Sequence, residues 1–149
     1  MRISGLLALS ALAVFPAMAE VDELARMQPG QWLTVMESHI EGEVYGQPIL
    51  ESDTDTTDEC IDAQNAALLE QAMSDETCEM EALEQDSRFL RAAVTCTTEG
   101  LSISGEALMR LSPDYDMVVG DIQMSLVEDM VEIRMLGRIW AHRTSACSS

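Results

Sequence analysis

The residues with the greatest capacity for chemistry are carboxylates. Glu51–Glu59 (ESDTDTTDE) holds five acids in nine residues. Oxygen donors at this density suit a hard cation such as Ca²⁺ or Mg²⁺, with Asp53, Asp55, Asp58 and Glu59 as candidate ligands. The stretch lacks the Gly and the distal Glu of an EF-hand loop, so a solvated acidic loop or edge strand is the competing reading. Asp53-Thr54-Asp55-Thr56-Thr57 also matches the D-x-D-x-T string of aspartate-nucleophile phosphatases. That chemistry needs a buried parallel strand, a larger α/β domain and a Lys; this chain has no Lys and no βα alternation. His39 and His142 are the two imidazoles. With Ser38 or Ser145 they supply residue types for nucleophilic catalysis, but without a G-x-S-x-G elbow or comparable context. Acids are so numerous that no catalytic pair stands out. The pattern assigns no catalytic residue and no cofactor, and leans away from an enzyme.

Cys60, Cys78, Cys96 and Cys147 are separated by 18, 18 and 51 residues. Zinc sites favour close pairs such as C-x₂-C, and none occurs here, even if His39 and His142 are counted as extra ligands. An even number of cysteines in an exported chain reads instead as two disulfides. Three pairings are possible. The preferred one is Cys60–Cys78, closing a short helical segment, with Cys96–Cys147, tying a mid-chain strand to the carboxyl end. The eleven Met residues fall mostly on alternating apolar positions, which suits core filling better than a soft-metal site.

Export is read from the first nineteen residues. Arg2 is a short positive region, and Ile3 to Phe15 is an apolar run too short to span a bilayer. Pro16 ends its helix, and Ala17-Met18-Ala19 is a small-x-small cleavage site. Residues 1–19 are thus expected to be a cleavable signal peptide, and residues 20–149 a single periplasmic or secreted domain. No Cys stands at the cleavage point and Arg2 has no Arg neighbour, so lipoprotein and twin-arginine addresses are not indicated. No later segment is apolar for long enough to cross a membrane as a helix.

The charge narrows the partners. The chain of 149 residues carries 27 acids against 8 Arg, for a net charge of −19. Phosphate backbones and anionic membrane surfaces would repel it, so no nucleic acid is expected as a partner. At 47% hydrophobic residues, the chain can still build a core.

These residues must be positioned mainly by strands. Val21 to Met27 is compatible with a short helix. After Pro29-Gly30 the period drops to two through Trp32, Thr34, Met36, Ser38 and Ile40. Asp62 reads as the N-cap of a helix over Ala63 to Met73. Alternation then returns. Leu90, Ala92, Val94 and Cys96 share a face, as do Leu101, Ile103, Gly105, Ala107, Met109 and Leu111. Val118, Gly120, Ile122, Met124 and Leu126 form the next set, followed by Val131, Ile133, Met135, Gly137 and Ile139. The expected fold is mainly β: a curved antiparallel meander sheet or a small, partly open barrel, with one short helix and two disulfides. Small inward residues would allow strong curvature and a hollow for a small apolar ligand.

Several strings occur in a recognisable order: PGQW at Pro29–Trp32, TTDECIDAQNA at Thr56–Ala66, DETCEME around Cys78, AAVTCTTEG around Cys96, SISGEA at Ser102–Ala107, MVVGDIQM, and Gly137-Arg138 before the last Cys. In this the chain resembles the bacterial exported family known as domain of unknown function 3617. The resemblance covers most of the chain after residue 19. It departs at the carboxyl end, where Ile139 to Ala146 separate Gly137-Arg138 from Cys147. It implies an exported compartment and a cysteine plan, and carries no catalytic residue. The combined expectation is a non-enzymatic exported β domain that binds a small apolar ligand or supports an envelope protein. The alternatives are a divalent-cation binder through residues 51–59 and an unrecognised hydrolase.

Overall fold

The computed structural model describes residues 24–72 and 77–148. The expected signal peptide lies outside the described residues. Seven strands form one antiparallel sheet: β1 (Gly30–Val44), β2 (Gln47–Ile61), β3 (Cys78–Gln85), β4 (Phe89–Thr98), β5 (Leu101–Leu111), β6 (Met117–Glu128) and β7 (Val131–Ser145). Among the described residues the one helix, α1, spans Leu68–Ala72. The strand order is β2-β1-β7-β6-β5-β4-β3, so the sheet stays open with β2 and β3 at its edges. Turns of two residues set several of the registers. Between β1 and β2, Tyr45 and Gly46 both take positive φ, 52° and 78°, the twist that a tight hairpin requires.

The alternation read from the sequence becomes the inner face. Across the sheet, Ala92 pairs with Ala107 and Ala107 with Ile122; Ile122 pairs with Gly137 and Gly137 with Ser38. Trp32, Leu90, Ala92 and Ala107 are fully buried. Trp32 donates its indole N–H to the Gln28 carbonyl at 2.9 Å, so its one polar atom is satisfied. Gly105 serves close approach: a Cβ there would run into the Gln123 carbonyl oxygen of β6.

The chain must pass from the β2 edge to the opposite β3 edge. The described residues that follow β2, 62–72, carry part of the core. Ala66 and Leu68 join Ala25 and Met27 in the buried cluster with Trp32 and Leu90. Backbone bonds hold the lid together: Met27 N–H donates to Ala66 at 2.7 Å and Leu68 N–H to Ala25 at 2.9 Å. Two expectations are corrected here. Asp62 does cap, accepting from the Gln64 and Asn65 amides at 2.8 and 2.9 Å, yet the helix begins only at Leu68. The intervening backbone pairs with the amino-terminal segment through the Arg26–Ala67 bridge instead of helical bonds. For the same reason the described part of Val21–Met27, from Leu24 on, is extended and not helical. Cys78–Gln85, for which the sequence set no expectation, is a strand; its four Glu and Gln residues hid the alternation of Cys78, Met80 and Ala82.

The sulfur pairing also differs from the expected one. The bonds are Cys60–Cys147 and Cys78–Cys96, and no cysteine is free. The expected Cys60–Cys78 would have to join the two opposite edges of a seven-stranded sheet. Each observed bond instead fastens an edge strand inward. Cys78 faces Cys96 in the β3–β4 register, and Cys60, at the end of β2, is tied to the tail that follows β7.

Candidate functional site

The strand pleat decides where the candidate ligands go. Asp53, Asp55 and Glu59 pair with Ser38, Met36 and Trp32 and lie on the inner side of β2, whereas Asp58 pairs with Leu33 on the other side. All four are exposed. Among the described residues, no three His, Cys, Asp or Glu are gathered where they could hold a metal ion. The pleat sets Asp58 apart from Asp53, Asp55 and Glu59, which are strung along one side of the strand.

The grooves of the molecule lie on the outer face, opposite the core. The larger, of about 460 Å³, crosses β2, β1, β7 and β6. Register builds it row by row. One row is Thr54, Glu37, Arg138, Asp121; the next is Ser52, His39, Leu136, Gln123. A second groove of about 310 Å³ shares Gln123 and Leu136 and extends to Ser104 and Glu106 of β5. Together they form a shallow polar trough over five strands. Beside it runs an apolar row of Val35, Trp140 and Val119, with Trp140 40% exposed. The hollow suggested for an apolar ligand is not where the grooves lie. Under α1 the inner face is filled by Leu90, Val94, Met109 and Met124.

Charge within the trough is paired loosely. Arg138 Nε lies 3.5 Å from Asp121 Oδ1, and Arg134 Nη1 lies 3.7 Å from Glu41 Oε1. At the rim, Arg91 donates two bonds to Glu106, at 3.0 and 2.8 Å. The Arg91 guanidinium therefore holds the Glu106 carboxyl below its ordinary range, chiefly through that hydrogen bond.

The histidines separate. His142 stacks near Trp140, ring centroids 4.7 Å apart, and its Nδ1 is buried without a partner. His39 finds Ser52, not its neighbour Ser38: Nδ1 and Oγ share a hydrogen bond of 2.8 Å. Its Nε2 lies 3.9 Å from Glu41, too far for the bond that orients a catalytic imidazole. The Ser–His–Glu order is therefore present on an open sheet face without the tight geometry of a working triad.

A family model described as a protein of unknown function (DUF3617) matches residues 27–147. The chain belongs to the DUF3617 family. The DUF3617 match takes in all seven strands and all four cysteines, so the family extends over the whole sheet and both of its bonds. No curated protein and no solved structure matches it.

Sequence reading placed Asp121, Gln123, Leu136 and Arg138 on outward positions but did not bring them to Glu37, His39 and Ser52. That juxtaposition depends on β7 pairing with β1, and nothing local in the sequence signals a pairing between its two ends.

Proposed function

We propose that this DUF3617 chain is an exported, non-enzymatic binding domain of the cell envelope, and that it engages its partner through the outer trough. The observation that carries the reading is the trough itself. It is a broad, shallow surface of acids, hydroxyls, amides and Arg138 beside an exposed Trp140, on the face opposite the core. The export part is supported by the signal-like amino terminus and by two disulfides, which persist in oxidising compartments. A partner with mixed donors and acceptors fits this surface better than the apolar ligand read from the sequence.

Photo-crosslinking in cells tests it. A photoreactive residue replacing Gln123 in the trough is expected to trap a partner in the periplasmic or envelope fraction. The same residue replacing the exposed Met130 in the β6–β7 turn should not. Equal products from both positions, or protein retained in the cytosol, would overturn the proposal.

A further inference from the structure

The two edges of the sheet are unlike. β3 is eight residues long and loses register against β4 between Ala82 and Glu84; short length and a bulge are the ordinary defences of an exposed edge. β2 has neither. It runs fifteen residues and pairs with β1 residue for residue, from Val44–Gln47 to Gly30–Ile61, with no shift. Leu50 to Cys60 are all exposed. On an antiparallel edge of this length about seven residues turn their backbone groups away from the sheet; on β2, Pro48 brings no N–H and the Thr56 N–H donates to Asp55 Oδ1 at 2.9 Å. The strand is also held at both ends, by the Tyr45-Gly46 turn and by the Cys60–Cys147 bond. A template fixed in this way loses little freedom when another strand is added.

Charge decides what can be added. β2 carries Glu51, Asp53, Asp55, Asp58 and Glu59 and no cation. A second copy pairing edge to edge would set these acids against one another, which is unfavourable. An extended segment with Lys or Arg at alternate positions would instead meet Glu51, Asp53 and Asp55, which share one side of the strand. We infer that the free edge of β2 accepts an extended basic segment of a partner protein as an eighth strand, and that the acids select this occupant while excluding a second copy. Strand addition supplies the main-chain bonds, and the alternating charges set register and sign. The inference uses the backbone edge of β2, whose Ser52 and Thr54 also border the outer trough, and does not use the trough's floor on β1, β7 and β6.

Peptides test it on the intact, disulfide-bonded chain. The probe is an alternating Lys–Thr peptide as long as Glu51–Glu59, compared with its Glu–Thr counterpart and with two forms N-methylated on the odd or the even residues. Only alternate amides of an added strand face β2. The Lys–Thr peptide is expected to bind at low salt and to slow hydrogen exchange at outward amides between Leu50 and Glu59. One N-methylated form should weaken by about tenfold or more while the other keeps its affinity. The Glu–Thr peptide should not bind, and Asp53→Asn with Asp55→Asn should weaken the Lys–Thr complex. Absence of binding, equal affinity of both N-methylated forms, or protection confined to β1, β6 and β7 would overturn the inference.

Discussion

Cys78 stands directly opposite Cys96 in the β3–β4 register, their Cα atoms 3.9 Å apart, and the bond between them locks one edge of the sheet to its inner neighbour. Cys60 and Cys147 do the same for the other edge, over a much longer loop of chain: 87 residues against 18. In the chain-entropy account a bond constrains the unfolded state by about 4–5 kcal/mol for the long loop and about 3 kcal/mol for the short one.

The first prediction follows from that inequality. Paired substitution Cys60→Ser/Cys147→Ser is expected to lower unfolding free energy by about 1–2 kcal/mol more than Cys78→Ser/Cys96→Ser. Urea titration of both variants measures it. Equal losses, or a greater loss for the short loop, would mean that native-state packing, not chain freedom, governs the difference.

Trp32 should be the costliest single truncation. It is fully buried and satisfied by Gln28. Trp32→Ala is expected to lose about 3–5 kcal/mol, and Trp32→Phe distinctly less. Fluorescence gives a second check: quenching by acrylamide should spare Trp32 and reach Trp140, which is 40% exposed.

Two inner glycines should respond in opposite ways to Ala. At Gly105 the new Cβ runs into the backbone of β6, so Gly105→Ala should force β5 and β6 apart and cost about 1–3 kcal/mol. At Gly137 the nearest atom is Ile122 Cβ at 3.5 Å, an ordinary contact, and Gly137→Ala should be tolerated. Thermal unfolding of the two variants separates them.

Acid pH should reveal the Arg91–Glu106 pair. Because Arg91 lowers the folded-state pKa of Glu106, the pair's contribution is complete above the ordinary value of 4.5 and is lost as pH falls through the lowered one. The stability gap between the native chain and Glu106→Gln should thus be present at about pH 7, narrow below 4.5 and close at lower pH. A gap constant with pH would show that the carboxylate charge plays no part. Both groups are exposed, so the gap is small.

The Ser52–His39 hydrogen bond allows a direct check on the non-enzymatic reading. A fluorophosphonate probe should leave Ser52 unlabelled, because Glu41 does not hold the imidazole in a hydrogen bond. Labelling abolished by His39→Ala would instead establish an activated serine.

Much of the sheet was legible because its signal is local. From Leu90 to Ile139 every inward set read by period-two alternation lies on the inner face, since a strand with one buried side must alternate. What failed was non-local or compositional. Ala63 to Leu68 have good helix propensity, but backbone pairing with Ala25–Met27 overrides it. Cys78–Gln85 alternates only as far as Ala82, before the shift against β4, and its apolar positions are too few to stand out among the glutamates. The trough and the Cys60–Cys147 bond both depend on β1 lying between β2 and β7, a relation carried by no short motif.

Disulfide mapping of the full-length protein recovered from its native cell, by proteolysis without reductant and mass spectrometry, tests the account at its centre. It should find the amino terminus at Glu20, no free thiol, and the linked peptides Cys60–Cys147 and Cys78–Cys96. Reduced cysteines on a chain that retains residues 1–19, or peptides joining Cys60 to Cys78, would contradict an exported sheet locked at both edges.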